Sequence, residues 1–514
     1  RIAQSAHLSV LSAEWMPLAL YGMRRYFDSV TTRSVDRLVG GRVRPLAGAA
    51  AAVVLQALSS GDFLFYFTPF AALAVFWEIG RRRQWANLRM WAQLAVAAAA
   101  ATVVIVPFVL PYVVLHDVFH LIRPQGEVQR GAADVYSYAT AMAAQPLWGR
   151  LASAWPNPGV ELFPGLVPLL LAVVGVVAWR DLPVERDARS RPETHPRIRR
   201  TAAVLLGAAA IVHAAAFAAV LLGRHLAIDA GLFVIHLSNA NQMLLRSLIA
   251  LVLLCVVSAG ARQRAARFVH AHGFLVVALA AALWLSLGVA PQSLGRPIEL
   301  FAPYGVLYRH VGGFDALAVP ARYGILVALM LAVLGGCGAA VLARRRATRV
   351  LLAALAVLFV AEATVLPFPV NRTDAPHDLA MPQASVSRPA RAPAIYAQVA
   401  QLPQGSVLAE LPLGDPVYDQ RAVFYSIVHW RPILNGTGDF LPPHYADLTL
   451  ALSDVPRHPA IALDALHRLG ATHVLVHEAA FLGDEGPRTS AALRAAGGRE
   501  VFRDGGDALF VLSR

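Results

Sequence analysis

The segment Leu115–Pro164 has the sequence LHDVFHLIRPQGEVQRGAADVYSYATAMAAQPLWGRLASAWPNPGVELFP and is the longest interruption among the hydrophobic segments of the chain. It contains acids, aromatic residues and prolines, and prolines stop helices. Apolar runs flank it, so we expect it to lie just outside a membrane, where it can meet a lipid-borne substrate without burying bare backbone in hydrocarbon. Asp134, Tyr136 and Trp148 are its candidate cavity residues.

The composition excludes an ordinary soluble protein. The 514 residues are 57% hydrophobic and 15% charged, and several apolar runs approach the length that crosses a bilayer. The sequence therefore predicts a polytopic α-helical membrane protein. All 45 basic residues are arginine, which indicates GC-rich codons and, as a hypothesis, a GC-rich bacterium.

The apolar runs predict about ten membrane crossings. The expected segments are His7–Met23, Pro45–Ser59, Phe63–Ile79, Met90–Val114, Leu166–Trp179, Ala202–Gly223, Ser247–Gly260, Gly273–Ala290, Tyr323–Ala343 and Val350–Pro367. Pro107 and Pro111 are expected to kink the outer end of the fourth segment. Prolines are tolerated there only because neighbouring groups can satisfy the freed backbone.

The arginines predict the orientation of these crossings. Alternate loops hold 24 arginines, whereas the opposite loops, although longer in total, hold 6. Arginine-rich loops stay in the cytoplasm. This places the external loops 115–164 and 291–321, the connection 224–243 and the C-terminal tail outside the bacterial cytoplasmic (inner) membrane. The net charge of +13 then reflects orientation, so we expect no nucleic-acid partner.

The composition changes after the last apolar run. We expect a transmembrane helix bundle over 1–369, a proline-rich linker over 370–390, and a small α/β extracytoplasmic domain over 391–514. SVLAEL and THVLVHE have the pattern of strands, AIYAQVAQL and HPAIALDALHRLG have helical periodicity, and EVFRDGGDALFVL predicts a hairpin that turns at Gly505–Gly506.

Several ionisable residues are candidates for chemistry. His116, Asp117 and His120 invite a metal-site interpretation, but the spacing is a weak signal without a third ligand, so no metal ligand is assigned and a divalent metal cofactor is left open. Glu14, His213 and Glu362 lie in or beside crossings, where such groups face a cavity or hydrogen-bond to a neighbouring helix. Asp62 has the position of a helix cap.

Arg322 is the strongest candidate for a residue that binds a lipid phosphate. It lies in AVPARYG at the outer end of a crossing, with Tyr308 and Arg309 in the preceding loop. An arginine at that depth can hold a phosphate through two parallel hydrogen bonds. The alternative is an arginine that anchors the helix to lipid head groups.

The tail and the cysteines give weaker signals. HWRPILNGTGDFLPPHY combines aromatic residues, asparagine and glycine, which is typical of binding loops, of plain turns and of an interface with the membrane domain. Cys255 and Cys337 lie in apolar runs and predict core packing. The GGCG stretch, Gly335–Gly338, predicts helix packing.

A series of segments in this chain resembles bacterial GT-C-type multi-spanning membrane glycosyltransferase-like proteins. In order, they are HLSVLSAEWMPLALYG, DVYSYATAMAAQPLWG, LFPGLVPLLLAVVG, VPARYG and NGTGDFLPPHY. The resemblance implies a sugar moved from a polyprenyl-phosphate carrier to an acceptor on the external face. It also implies a catalytic acid in a first external loop, which we expect to precede Arg1, and a lipid-phosphate ligand at Arg322.

Two other classes stay open. A transporter or flippase of lipid-linked saccharides is also polytopic and also uses interfacial arginines. A non-catalytic membrane scaffold would use the soluble domain to bind partners. An acidic residue in a first external loop of the full-length sequence would favour transfer.

Overall fold

The computed structural model describes residues 12–31, 39–119, 121–157, 159–178, 196–224, 226–229, 234–237, 239–365, 379–381, 386–436 and 444–512. The chain divides into two compact units, Arg1–Phe368 and Pro369–Arg514. The first unit is almost entirely helical and contains the candidate site.

The helices of the first unit follow the apolar runs of the sequence. They are α1 Trp15–Thr31, α2 Val39–Ser59, α3 Gly61–Arg81, α4 Leu88–Phe119, α5 Gln125–Arg130, α6 Leu166–Ala178, α7 Pro196–Leu221, α8 Ala240–Val257, α9 Ala259–Ser286, α10 Pro303–His310, α11 Gly324–Ala343 and α12 Arg346–Ala363. Two short antiparallel hairpins lie in the connections, β1 Leu226–Asp229 with β2 Val234–Leu237, and β3 Gln292–Ser293 with β4 Arg296–Pro297.

Six helical segments in the described residues are long and apolar enough to cross a membrane. They are Gly61–Arg81, Leu88–Val118, Arg199–Leu221, Ala240–Val257, Ala259–Ser286 and Pro320–Ala343. Only 6% of the residues in the most apolar part of α4 are buried within the protein. The exposed apolar side chains of this helix therefore suit contact with the hydrocarbon core of a membrane. The protein is membrane-embedded.

The structure corrects several predicted boundaries. The helix α1 is Trp15–Thr31 rather than His7–Met23, and residues 1–11 lie outside the described part of the chain. The helix α4 continues to Phe119 through Pro107 and Pro111, so the external loop begins after the predicted Leu115. The helix α9 begins at Ala259, because arginine and alanine are strong helix formers and continue the helix beyond its apolar part.

Close contact between α6 and α11 depends on glycine. A Cβ atom at Gly338 would lie 2.0 Å from the Leu171 carbonyl oxygen, and one at Gly175 would lie 2.2 Å from the Leu334 carbonyl oxygen. Small residues let two helix backbones approach in lipid, where dispersion contacts replace the hydrophobic effect. The helix-packing prediction for the GGCG stretch is confirmed at Gly338.

The second unit is a three-layer α/β fold. Its sheet has the order β5-β6-β8-β7, with β5 Leu408–Leu411 parallel to β6 His473–His477 and the other pairs antiparallel. One face packs on α13 Ala394–Ala400 and α14 Pro416–His429, and the other packs on α15 Tyr445–Leu452, α16 Pro459–Arg468 and α17 Glu485–Ala495. The predicted hairpin is present as β7 Arg499–Asp504 and β8 Asp507–Val511.

Part of the predicted linker packs on this second unit. The Ala380 backbone N–H donates to the Ala480 carbonyl at 2.8 Å, and the Tyr418 hydroxyl donates to the Ala380 carbonyl at 2.7 Å. The Ser387 N–H donates to the Tyr425 hydroxyl at 3.1 Å. Residues 366–378 and 382–385 lie outside the described part of the chain.

We predict that Gly338→Ala destabilises the first unit by about 1–3 kcal/mol, because the added methyl group forces α6 and α11 apart. Gly336→Ala is the matched control, since a Cβ atom there meets nothing within 4 Å. Thermal melting of the detergent-purified full chain measures both. Equal melting temperatures for the two variants would contradict the packing argument.

Candidate functional site

A cavity of about 770 Å³, called here the large cavity, lies along α11 of the first unit. Its α11 wall runs from Gly324 to Ala339, which is roughly 22 Å of helix. Most of its surface is apolar, and Phe359 of α12 and Leu171 of α6 contribute to it. Its polar lining residues are Glu14, Glu161 and Arg322, all near one end of α11 or before it.

Arg322 is held at the cavity by a rigid turn. It lies in the 3₁₀ helix Pro320–Tyr323, whose proline fixes the approach. The Tyr66 hydroxyl donates to the Val319 carbonyl at 3.0 Å, and the Ala321 N–H donates to the Gly131 carbonyl at 3.1 Å. The neighbouring Tyr323 ring is buried against Tyr66, with ring centroids 4.8 Å apart. The backbone around Arg322 is therefore fixed by packing and by hydrogen bonds.

The Arg322 guanidinium forms an ion pair with Asp62, in the first turn of α3. The Arg322 side chain is 10% exposed and that of Asp62 is 30% exposed. A carboxylate in the first turn also interacts favourably with the helix dipole. Ser60 occupies the N-cap position of α3 without a side-chain capping hydrogen bond, so the prediction that Asp62 is the cap is wrong.

Two carboxylates share the cavity lining with Arg322. Glu14 lies immediately before α1, and Glu161 lies in the loop before α6. Burial raises the pKa of the Glu161 carboxyl, and a hydrogen bond from the Gly159 backbone opposes the shift only in part. A carboxyl group with a raised pKa accepts a proton more readily near neutral pH.

The two predicted external loops pack together. The Asp134 carboxylate is buried, and it accepts hydrogen bonds from the backbone N–H groups of Leu294 at 3.0 Å and Gly295 at 2.9 Å. The Tyr308 hydroxyl donates to the Arg123 carbonyl at 2.7 Å. These contacts join loop 115–164 to loop 291–321 and fix both beside the large cavity.

Trp148 supports the cavity wall indirectly. Its indole N–H donates to a Glu362 carboxylate oxygen at 3.1 Å, and its ring lies 5.6 Å from that of Phe163, which lines the cavity. The Glu362 carboxylate also accepts hydrogen bonds from the backbone N–H groups of Leu166 and Val167, each at 3.0 Å. Glu362 thus caps the N-terminus of α6, which is the structural role left open by the sequence.

The other predicted residues lie elsewhere. Tyr308, Arg309, Asp134, Tyr136 and Trp148 are absent from the described lining of the large cavity, and the Tyr136 hydroxyl donates to the Leu222 carbonyl at 3.2 Å. A shared ligand for Arg322, Arg309 and Tyr308 stays a prediction.

Three further polar candidates have structural partners. The Asn239 side chain caps α8 and donates to Glu299 at 3.0 Å, and His213 bonds within α7 to the Ala209 carbonyl at 2.7 Å. His116 lies 3.4 Å from an Asp315 carboxylate oxygen, and His120 lies outside the described residues. Within the described part of the chain, no group of three or more potential ligand side chains has metal-binding geometry.

The second unit has its own polar cluster, at the carboxyl ends of β5 and β6. His477 lies between two carboxylates, with Nδ1 2.8 Å from Asp507 and Nε2 3.1 Å from Glu410. Burial lowers the pKa of His477, but the hydrogen bonds to Asp507 and Glu410 outweigh it and raise the pKa to about 9. The Tyr396 hydroxyl also donates to Glu410, at 2.9 Å.

The NGTGDFLPPHY stretch contributes to the adjoining network. The Asn435 amide donates to Asp419 at 2.9 Å, and the Tyr445 hydroxyl donates to Asp419 at 2.5 Å. The Glu410 backbone N–H donates to the Asn435 side chain at 2.7 Å. The polar groups of Asn435 and Tyr445 therefore hold the fold of this unit, and residues 437–443 lie outside the described part.

The large cavity combines an apolar wall along α11 with polar side chains near one end. Arginine pairs with phosphate oxygens, and carboxylates accept hydrogen bonds from hydroxyl groups. No protein-family model, curated protein or solved structure matches this chain. A functional proposal for this chain therefore rests on the sequence and on the geometry of the large cavity, without support from a known relative.

Sequence reasoning missed Glu161 as a member of this site. In the sequence, Glu161 is one of several acids in the external loop. The available signal was its position in GVELFP, directly before an apolar helix, which matches the position of Glu14 before α1. A lone carboxylate at a helix entrance is either a cap or a cavity group, and only the folded loop separates these roles.

We predict that the second unit loses stability as the pH rises through about 9. The folded-state pKa of His477 is above its usual value of about 6.5, so the protonated imidazole stabilises the fold; this contribution is complete below pH 6.5 and disappears above the raised pKa. Hydrogen exchange of β6 in the full chain, corrected for intrinsic rates, measures the change.

His477→Gln should lower the free energy of opening of β6 by about 2 kcal/mol at pH 7, because it leaves two carboxylates without their cation. His467→Gln, an exposed histidine on α16, is the matched control. A His477→Gln chain with wild-type protection at pH 7 would exclude a stabilising role for this cluster.

Proposed function

We propose that this chain is a membrane glycosyltransferase-like protein that transfers a sugar from a polyprenyl-phosphate donor at the external face of a bacterial inner membrane. The large cavity is the observation that carries the proposal. It combines an apolar wall along α11 with one arginine and two carboxylates.

Each part of such a donor has a counterpart in the lining. The polyprenyl chain fits the apolar wall formed by α11, Leu171 and Phe359. The phosphate suits Arg322, whose planar fork can bind two oxygens. The sugar hydroxyls suit Glu14 and Glu161 as hydrogen-bond acceptors. A phospholipid whose head group has no O–H or N–H group, such as phosphatidylcholine, would leave these two carboxylates without such donors.

The transfer step follows from the same groups. A carboxylate takes the proton of the acceptor hydroxyl while the hydroxyl oxygen forms a bond to the anomeric carbon of the sugar. The bond from that carbon to the phosphate oxygen breaks at the same time. The electron pair leaves with polyprenyl phosphate, whose charge Arg322 stabilises. Burial raises the pKa of the Glu161 carboxyl, which suits this cavity residue to accept that proton. A divalent cation would add positive charge at the phosphate, but no ligand set is assigned.

The proposal includes ten crossings, formed by the six long apolar helices together with α1, α2, α6 and α12. It places the C-terminal unit on the external side. The arginine asymmetry supports this orientation. So does the position of Arg24, Arg81 and Arg82 around Glu78, at the opposite end of α3 from Asp62.

A second candidate function is transport of a lipid-linked saccharide. A smaller cavity on the other side of α11 shares the lining residues Pro17 and Leu329 with the large cavity. Two cavities that meet at one wall suggest a route for a lipid between the two ends of the bundle. Release of polyprenyl phosphate from a labelled donor by the purified chain would favour the transferase, and movement of the intact donor across vesicles would favour the transporter.

We predict the following labelling pattern in a chain whose two cysteines, Cys255 and Cys337, are replaced by alanine. Leu151→Cys, exposed in the external loop, should react with an impermeant maleimide in intact spheroplasts. Arg83→Cys, exposed between α3 and α4, should react only after lysis. Reaction of Arg83→Cys in intact spheroplasts would overturn the orientation.

We predict that Arg322→Lys weakens binding of a polyprenyl-phosphate analogue about tenfold, because an ammonium group cannot reproduce the bidentate fork. Arg322→Ala should weaken it further. Asp62→Asn should preserve or strengthen binding, since it removes the carboxylate that competes for Arg322. Equilibrium binding to the purified full chain measures all three, and thermal melting checks the fold.

A control variant and a second ligand show whether the effect is specific to the proposed donor site. Arg296→Lys is the matched control, because Arg296 is exposed in the same external loop and absent from the described cavity lining. Glu161→Gln should weaken binding of a sugar-bearing donor more than binding of the sugar-free carrier. If all variants bind both ligands equally, Arg322 is an interfacial anchor and the proposed donor site is wrong.

A further inference from the structure

A second cavity of about 310 Å³, called here the small cavity, lies between α1, α3, α9 and α11. Its interior is apolar, with Leu20, Trp77, Phe274 and Val333 among the lining residues. Its polar lining residues are Arg24, Glu78, Arg81, His270 and His272. None of these groups takes part in the donor site proposed above.

At this cavity, the positive charges of the arginines outnumber the negative charges of the carboxylates. Both oxygens of the Glu78 carboxylate are occupied, since Arg24 donates to one at 2.9 Å and Arg81 and Arg82 donate to the other at 2.7 Å each. Asp28 adds a second carboxylate, 2.5 Å from Arg82 and 3.5 Å from Arg24. Three arginines therefore face two carboxylates, and the cluster keeps an excess positive charge.

Two of the arginines are placed to receive an anion. The Arg24 side chain is 53% exposed, although it pairs with Glu78. The Arg81 side chain is 13% exposed, and its Nε is buried with no hydrogen-bond partner among the described residues. Arg81 Nη1 also lies 3.4 Å from His270 Nε2. A buried guanidinium N–H without a partner has a cost that a ligand oxygen would remove.

We propose that the small cavity binds an anionic phospholipid, with the head-group phosphate at Arg24 and Arg81 and an acyl chain among the apolar lining residues. Cationic side chains at the edge of an apolar cavity are complementary to this lipid in both charge and polarity. The cavity lies at the end of α3 that continues into the arginine-rich loop Arg81–Arg89. The arginines of such a loop attract anionic lipid to this end of the bundle.

The same chemistry disfavours a saccharide-bearing lipid here. Sugar hydroxyls donate as well as accept hydrogen bonds, and both oxygens of Glu78, the one carboxylate in the described lining, already accept from arginines. The small cavity also has less than half the volume of the large one, about 310 Å³ against about 770 Å³. The occupant that fits is therefore an ordinary phospholipid with a negative head group.

The test is native mass spectrometry of the purified full chain with phosphatidylglycerol and, separately, with phosphatidylcholine. We expect the wild type to prefer phosphatidylglycerol. Arg24→Gln should weaken that binding about fivefold, which corresponds to the loss of one interfacial arginine. Arg25→Gln is the matched control, since Arg25 is exposed and adjacent but absent from the described lining.

A second variant fills the cavity instead of changing its charge. Ala271 is exposed and lines the small cavity, so Ala271→Trp should exclude the acyl chain while the melting temperature stays close to that of the wild type. Ala266→Trp, exposed on the same helix and outside the described lining, is its control. Equal binding of both lipids, or unchanged binding in Arg24→Gln and Ala271→Trp, would overturn the proposal. A preference for polyprenyl phosphate over phosphatidylglycerol that depends on Arg24 would overturn it in favour of a carrier-lipid site.

Discussion

The arrangement of the first unit depends on how charged groups are satisfied at the two ends of α3. Asp62 and Glu78 lie roughly 24 Å apart on this helix, close to the thickness of the hydrocarbon core. Asp62 pairs with Arg322 ahead of α11, and Glu78 pairs with Arg24 of α1 and with Arg81 and Arg82. A charge left unpaired at the edge of hydrocarbon is costly, so these pairs fix the position of α3 against its neighbours.

Both ion-pair clusters also line a cavity. The large cavity is lined by Arg322, and the small cavity is lined by Arg24 and Glu78. Gly175 and Gly338 bring α6 and α11 into direct backbone contact. The residues that fix α3 against its neighbours therefore also supply charged groups to the two cavities.

Sequence patterns predicted the local features of this fold and missed those that depend on distant contacts. Hydropathy identified the apolar helices, and the Gly505–Gly506 turn identified the C-terminal hairpin, because each signal lies within one short segment. The boundaries of α1 and α9 were misplaced, since arginines and a capping serine continue or begin a helix regardless of hydropathy. Arg322 was recognised from its position, but its partner Asp62 lies far away in the sequence, and no local pattern could connect them.

The charge of the large cavity determines which ligands it can accept. Arg322 is the one basic side chain in its described lining, and its charge is balanced by Asp62 outside that lining. Two glutamates remain, so a bare anion gains less there than at the small cavity, where arginines outnumber carboxylates. The ionised carboxylates of glutamates accept hydrogen bonds from ligand hydroxyl groups. A ligand with several hydroxyl groups as well as a phosphate would use all of these groups at once, and this is the physical reason for proposing a lipid-linked sugar as the ligand of the large cavity.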